Sequence, residues 1–149
     1  MRDTRLALEA IGRLPDAEID IADAALQLAR IDRPTADWAS ASAHLSDLAR
    51  QAVATATVLP DGSPVSRARA LSDLLVDRFG YRGDVETYDD LANANIISVI
   101  ERRRGLPVAL GVIWLHAAHA AGWTAYGIDF PAHFLIGLAH EGSQVVLDV

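Results

Sequence analysis

The chain has 149 residues, of which 51% are apolar, and its formal net charge is −7. This length and composition predict one folded domain and exclude a disordered chain. The acidic balance argues against a nucleic-acid partner, and the absence of cysteine excludes disulfides, thiolate metal sites and thiol catalysis.

The sequence shows no membrane or export signal. The charged N-terminus lacks the apolar core of a signal peptide. No apolar run reaches the roughly 18 residues needed to span a bilayer. The longest run, 106–123, is interrupted by Pro107 and two histidines. We therefore expect a cytoplasmic protein without membrane contact.

The first half of the sequence has the apolar spacing of helices. Apolar residues recur at helical spacing over 21–29, and Pro34 ends that helix. Thr35 is the predicted N-cap of the next helix. The inner face of that helix starts at Trp38, and the helix runs to about Ala56.

Two further helices are predicted before the centre of the fold. One starts near Pro64 and ends at Gly80. After a polar loop, either Asp90 or Asn93 is predicted to cap a short helix that Gly105 ends. The arginine run at 102–104 is typical of a charged last helical turn, which we favour over an anion site.

The pattern changes after a central apolar helix. Pro107 is predicted to start this helix and Gly122 to end it, and a helix apolar nearly all round is usually buried. Alternation then predicts strands in WTAYGID, FLIGLA and QVVLDV, with HEGS as the loop between the last two. Helices followed by an antiparallel sheet predict the α+β class.

The predicted hairpin brings a histidine and an aspartate together. With HEGS as the loop, Ala139 faces Gln144 and Leu135 faces Asp148. His133 then shares a face with Asp148, diagonally across the strands. An aspartate that orients an imidazole is the orienting half of a catalytic triad. The spacing leaves open that this is an ordinary polar pair at a hairpin end.

The start of the central helix is a second place where chemistry is expected. Free backbone N–H groups and the positive end of the dipole gather there, and in cysteine hydrolases they lower the thiol pKa and hold an oxyanion. Residues 106–109 read LPVA, and none of them is a nucleophile. His116 and His119, three apart on the same helix, lack an accompanying acid, so we interpret them as core or groove histidines rather than metal ligands.

Several stretches together carry a family resemblance. They are GYRGD at 80–84, DLAN at 90–93, VIERRRGLPVALGVIWLHAA at 99–118, GW at 122–123, DFPAHFLI at 129–136 and LD at 147–148. In this order and spacing, from about Ile19 to Asp148, the chain resembles the transglutaminase-like domain of the bacterial Sir-B-type regulator family.

The resemblance implies a papain-like transglutaminase core, in which a central helix bearing a cysteine packs on a C-terminal antiparallel sheet bearing a histidine and an aspartate. His133 matches that histidine and Asp148 that aspartate. The cysteine position falls at about Pro107 or Val108, so the triad is vestigial. Two departures are Ala132, where the family usually has glycine, and Ala109, where this branch often has serine or threonine.

The expected function is therefore a non-catalytic, regulatory domain that binds a peptide or protein and needs no cofactor or metal. The expected binding residues are Asn93, Pro107, Val108, Trp123 and Phe130. One alternative is an amide or ester hydrolase in which His133 and Asp148 activate water. Another is a scaffold, because the resemblance implies that 1–149 is a single domain, N-terminal to a helical, tetratricopeptide-like part against which it would pack.

Overall fold

Helices form the first part of the fold and an antiparallel sheet forms the last. The computed structural model describes residues 2–15, 19–59, 62–87, 89–131 and 133–149. The α-helices are α1 (Arg2–Gly12), α2 (Ile21–Asp32), α3 (Trp38–Val58), α4 (Pro64–Ser72), α5 (Ile96–Arg102) and α6 (Pro107–Ala120). The strands are β1 (Arg82–Gly83), β2 (Arg104–Gly105), β3 (Thr124–Phe130), β4 (His133–His140) and β5 (Ser143–Asp148). The predicted α+β class is confirmed.

Two of the predicted helix caps are wrong. The side chain that caps α3 is Asp37, which accepts from the backbone N–H of Ser40, while Thr35 lies in the preceding turn. Asn95 caps α5 by accepting from the N–H groups of the second and third helical residues. In each case the capping oxygen belongs to the residue directly before the first helical turn, from which it reaches backbone N–H groups of that turn.

The helix predicted from Pro64 to Gly80 has two parts. After α4 the chain continues as a π-helix, Asp73–Arg78, so the predicted single α-helix is wrong in its second half. The backbone N–H of Phe79 reaches back to Leu74 O, the long span of a π-turn. Gly80 then ends the element with a φ of +75°.

The sequence prediction also contained no counterpart of α1, which packs on α2.

Helix α6 lies at the centre of the fold, as predicted. It contacts α2 and α3 among the helices, and β3 and β4 in the sheet. Its buried residues include Ile113 and Trp114, and Trp123 just after it is also buried. Trp38 was predicted to be a core residue, but it is 41% exposed, with the Arg30 guanidinium 4.2 Å above its ring. Among the described residues, no helix combines the length and apolar character needed to cross a membrane.

The predicted register of the hairpin is confirmed. The sheet has the order β3-β4-β5, and β4 and β5 pair Ala139 with Gln144 and Leu135 with Asp148. The connecting loop is shorter than the predicted HEGS, because His140 already pairs with Ser143. The two remaining residues, 141 and 142, both have a positive φ, which is the conformation that a tight two-residue hairpin turn requires.

Candidate functional site

The first turn of α6 is held from outside the helix. Leu106 is its N-cap residue, without a side-chain cap among the described residues, and Pro107 is the first helical residue. The backbone N–H of Leu106 donates to Asn93 O at 3.0 Å. Val108 is 51% exposed. At the nucleophile position, which the resemblance puts at about Pro107 or Val108, neither side chain is reactive, and Pro107 also lacks a backbone N–H.

His133 and Asp148 meet at one end of the sheet. His133 Nδ1 lies 3.3 Å from Asp148 Oδ2, as the predicted register requires. The two side chains are 54% and 60% exposed. An imidazole held through Nδ1 leaves Nε2 free to meet solvent or a ligand. Phe130, the cross-strand partner of His133 and also exposed, lies beside this pair.

The pleat of β4 determines which way this pair faces. The Phe134 ring lies against α6, since a Cβ added at Gly111 would be 2.4 Å from Phe134 Cε1. Ile136, two residues on, is fully buried. Because successive side chains alternate between faces, His133 and Asp148 project from the other, outer face of the sheet. The structure thus brings His133 together with Asp148, on the face of the sheet opposite to the one that packs against α6.

Asn93, one of the expected binding residues, is fully buried in a hydrogen-bonded network. Its Nδ2 donates to Thr87 O at 2.8 Å, and its Oδ1 accepts from Arg102 Nη1 at 3.3 Å. Arg102 Nη2 also donates to Asp84 Oδ2 at 2.9 Å. Hydrogen bonds from the side chain and backbone of Thr87 hold the pKa of Asp84 well below its ordinary value of 3.8. The network fastens the loop that supports the start of α6.

Sequence reasoning missed the ion pair in this network. The Asp84 carboxylate pairs with Arg102, 18 residues away. Arg82 and Gly83, directly before Asp84, form β1, which pairs in parallel with β2. Only the folding back of α5 brings Arg102 near Asp84, so no local spacing signals this contact.

Tyr81 and His44 form a second polar pair. Tyr81 is 2% exposed, and its hydroxyl lies 2.6 Å from His44 Nε2. Burial, aided by the positive charge of Arg103, lowers the pKa of His44 to about 4. Burial also raises the pKa of the Tyr81 hydroxyl above its ordinary value of 10.0. Both groups are therefore neutral at pH 7, and they form a hydrogen bond rather than an ion pair.

The remaining candidates are spread over the fold. Trp123 is buried beyond the far end of α6, with the Arg67 guanidinium 5.4 Å from its ring centroid. His116 Nε2 contacts Leu45 O at 2.6 Å, and His119 Nε2 contacts Ala125 O at 2.8 Å, so the two rings serve different carbonyls.

Comparison with known proteins assigns the family. Residues 39–149 match the family described as the transglutaminase-like superfamily. The chain belongs to this superfamily. A Vibrio cholerae UPF0162 protein is 30% identical over 128 residues, which cover 86% of this chain and 47% of that protein. A Xylella fastidiosa UPF0162 protein is 35% identical over 79 residues, covering 53% of this chain and 28% of that protein. These relatives agree with the Sir-B-type resemblance.

A eukaryotic protein is also similar to part of this chain. Mouse F-box only protein 21 is 26% identical over 80 residues, which cover 54% of this chain and 13% of that protein. This chain spans less than half the length of each of these three relatives. No solved structure shows significant similarity to it.

Proposed function

We propose that this transglutaminase-like domain is non-catalytic and binds a peptide or protein in a regulatory role. The observation that carries the proposal is the absence of a reactive side chain at Pro107 and Val108, where the resemblance places the nucleophile, in a chain without cysteine. Covalent acyl transfer needs a nucleophile at that position. The residues of the first turn, Pro107, Val108 and Ala109, offer neither sulfur nor hydroxyl.

The orientation of the histidine supports the same proposal. His133 and Asp148 project from the outer face of the sheet, whereas α6 packs against its inner face. A hydrolytic site needs a base for the attacking water and oxyanion donors for the carbonyl oxygen, arranged around one substrate carbonyl group. The N–H groups of β4 pair with β3 and β5 and are not open to a substrate.

A groove beside the first turn of α6 supports binding. It has a volume of about 200 Å³ and lies between α2, α5 and α6. Its walls are largely apolar, and Leu28 and Val108 on its rim are 57% and 51% exposed. A groove of this size suits one apolar side chain of a partner. Attachment to a helical regulatory part, as the Sir-B-type resemblance implies, belongs to the same proposal.

The second candidate is an amide or ester hydrolase that uses water as nucleophile. The specific observation in its favour is the 3.3 Å contact of His133 Nδ1 with Asp148, which orients an imidazole open to solvent. In that mechanism His133 Nε2 would take a proton from water while the hydroxide attacks the carbonyl carbon.

Turnover assays separate the two candidates. We expect no hydrolysis and no amine exchange on a panel of glutamine peptides and small esters, at a detection limit far below typical kcat values of roughly 1–1000 per second. His133→Ala is assayed beside the wild type, and His140→Ala, at the other end of β4, serves as the matched control. Turnover that disappears in His133→Ala and persists in His140→Ala would establish the hydrolase and refute the non-catalytic assignment.

A further inference from the structure

Two helices form the walls of the groove beside the first turn of α6. Residues between 25 and 32 of α2 line one wall, residues between 108 and 112 of α6 line the other, and residues 94–96 complete the lining. Along α2 the lining extends over about two helical turns, or about 10 Å. Leu28 and Val108, on the opposite walls, are both more than half exposed. The groove is therefore long enough for one apolar side chain of a partner and for a neighbouring side chain one helical turn away.

Asp32 is the one charged residue among the described residues that line this groove. It is exposed, and its side chain makes no hydrogen bond or ion pair with any described residue. It is also the last residue of α2, where the negative end of the helix dipole disfavours a carboxylate. Within the described structure this carboxylate therefore stabilises neither its own helix nor a neighbour. An unpaired carboxylate beside an apolar groove favours a partner that brings a cationic group.

The two arginines nearest to Asp32 along the chain have other partners. Arg33 forms an ion pair with Glu101. The Arg30 guanidinium lies 4.2 Å above the ring of Trp38, at the start of α3. No basic residue occurs in the described lining of the groove, so its fixed charge is that of one carboxylate. The net charge of −7 adds a general attraction for basic partners.

We propose that the groove beside the first turn of α6 binds a basic amphipathic helix of a partner protein. One apolar side chain of that helix enters the groove between Leu28 and Val108, and a lysine or arginine one turn away pairs with Asp32. Grooves between helices commonly receive the apolar face of a further helix in this way. The apolar side chain supplies affinity through its buried area, and the ion pair fixes the direction of the bound helix. The inference rests on the proposed binding function and gives its ligand a chemical class.

The test is a ¹⁵N NMR titration with a synthetic helical peptide of about 15 residues, built from alanine and glutamine and capped at both ends. It carries one leucine and, one helical turn after it, one arginine. We expect saturable shifts of the amides of Leu28, Val108 and Val112. A control peptide with alanine for leucine should bind at least about tenfold more weakly, because it buries less apolar area. A control with glutamate for arginine should bind about threefold more weakly or worse, because it brings two carboxylates together.

Protein variants exchange the charge on the other side of the contact. Asp32→Arg should reverse the preference, so that the glutamate peptide binds more tightly than the arginine peptide. Asp77→Arg, the same charge change in the π-helix, should keep the preference of the wild type. Because the helix dipole favours a cation at the end of α2, Asp32→Arg should melt at or above the temperature of the wild type. A reversed preference in that variant therefore does not come from a folding defect.

The outcomes separate this inference from the proposed function. No shifts at about 1 mM peptide, or equal affinity of the arginine and glutamate peptides, would overturn the inference. Shifts confined to the outer face of the sheet, around Phe130, would overturn it as well, while leaving a binding domain. Shifts of Leu28 and Val108 that appear when the protein alone is concentrated would mean that a second copy fills the groove, and would also overturn it. The proposed function itself fails only if the turnover assays reveal an enzyme dependent on His133.

Discussion

Gly111→Ala is expected to lower the free energy of unfolding by about 1–3 kcal/mol, the usual cost of overpacking. The added Cβ would lie 2.4 Å from Phe134 Cε1. The ring cannot retreat, because Gly127 on β3 holds its other side, where an added Cβ would be 2.6 Å from Phe134 Cζ. At an open helix position the same substitution would stabilise the protein by roughly 1 kcal/mol. A loss of stability would therefore show that the site is closely packed. Denaturant unfolding measures it.

Two variants control this experiment. Gly83→Ala adds the same methyl group where no atom lies within 4 Å, and it should change stability by no more than about 0.5 kcal/mol. Shortening the ring in Gly111→Ala/Phe134→Leu should recover part of the loss, since the two sites contact each other and their effects are not additive. If Gly111→Ala is as stable as the wild type, Phe134 does not pack between β3 and α6.

Asp84→Asn is expected to destabilise the protein at pH 7 more than any substitution of an exposed carboxylate in the same loop. The carboxylate accepts from the backbone N–H groups of Glu86 and Thr87 and from the Arg102 guanidinium. An amide accepts through one oxygen and leaves Arg102, 32% exposed, without its counter-charge. Because Arg102 also contacts Asn93, the loss should spread to the support of α6.

The pH dependence of this effect has a definite sign. The pKa of Asp84 is depressed in the folded protein, so its carboxylate stabilises the fold above its ordinary pKa of 3.8, and this stabilisation is lost as the pH falls below that value. The difference in melting temperature between the wild type and Asp84→Asn should therefore stay nearly constant from pH 7 to about 4 and shrink as the pH falls further below 3.8. Glu86→Gln is the control, and a gap between wild type and Asp84→Asn that stays constant with pH would contradict the assignment.

The sequence was sufficient to predict the strands and their register, but not which face of the sheet is buried. Alternation and the turn at HEGS were sufficient for the register, because a slip by one residue would invert every side chain. Neither clue says which face packs on α6, since both faces carry large apolar residues. Phe134 and Ile136 lie on the inner face, while Tyr126 and Phe130, 37% and 55% exposed, lie on the outer one.

Other features could not be predicted because they depend on contacts between distant parts of the chain. The contact of His44 with Tyr81 joins residues 37 apart, and it exists only because α3 packs beside the end of the π-helix. The central helix was predictable because its apolar surface requires burial whatever surrounds it. The caps were harder, since several polar residues near each helix start could serve. The observed cap lies two residues after the predicted one at α3, and two or five residues after the two predicted candidates at α5.

The central claim, that the nucleophile position and His133 lie apart, can be tested with an introduced thiol because the chain has no cysteine. Pro107→Cys places a single thiol at one of the two positions that the resemblance assigns to the nucleophile, and the pH profile of its alkylation by iodoacetamide reports the thiol pKa. The start of a helix lowers that pKa with or without a histidine, so the comparison is Pro107→Cys against Pro107→Cys/His133→Ala. With His133 on the outer face of the sheet, we predict superimposable profiles. A profile that shifts to higher pH when His133 is removed would mean that the imidazole reaches the thiolate, and would contradict the separation of the two sites.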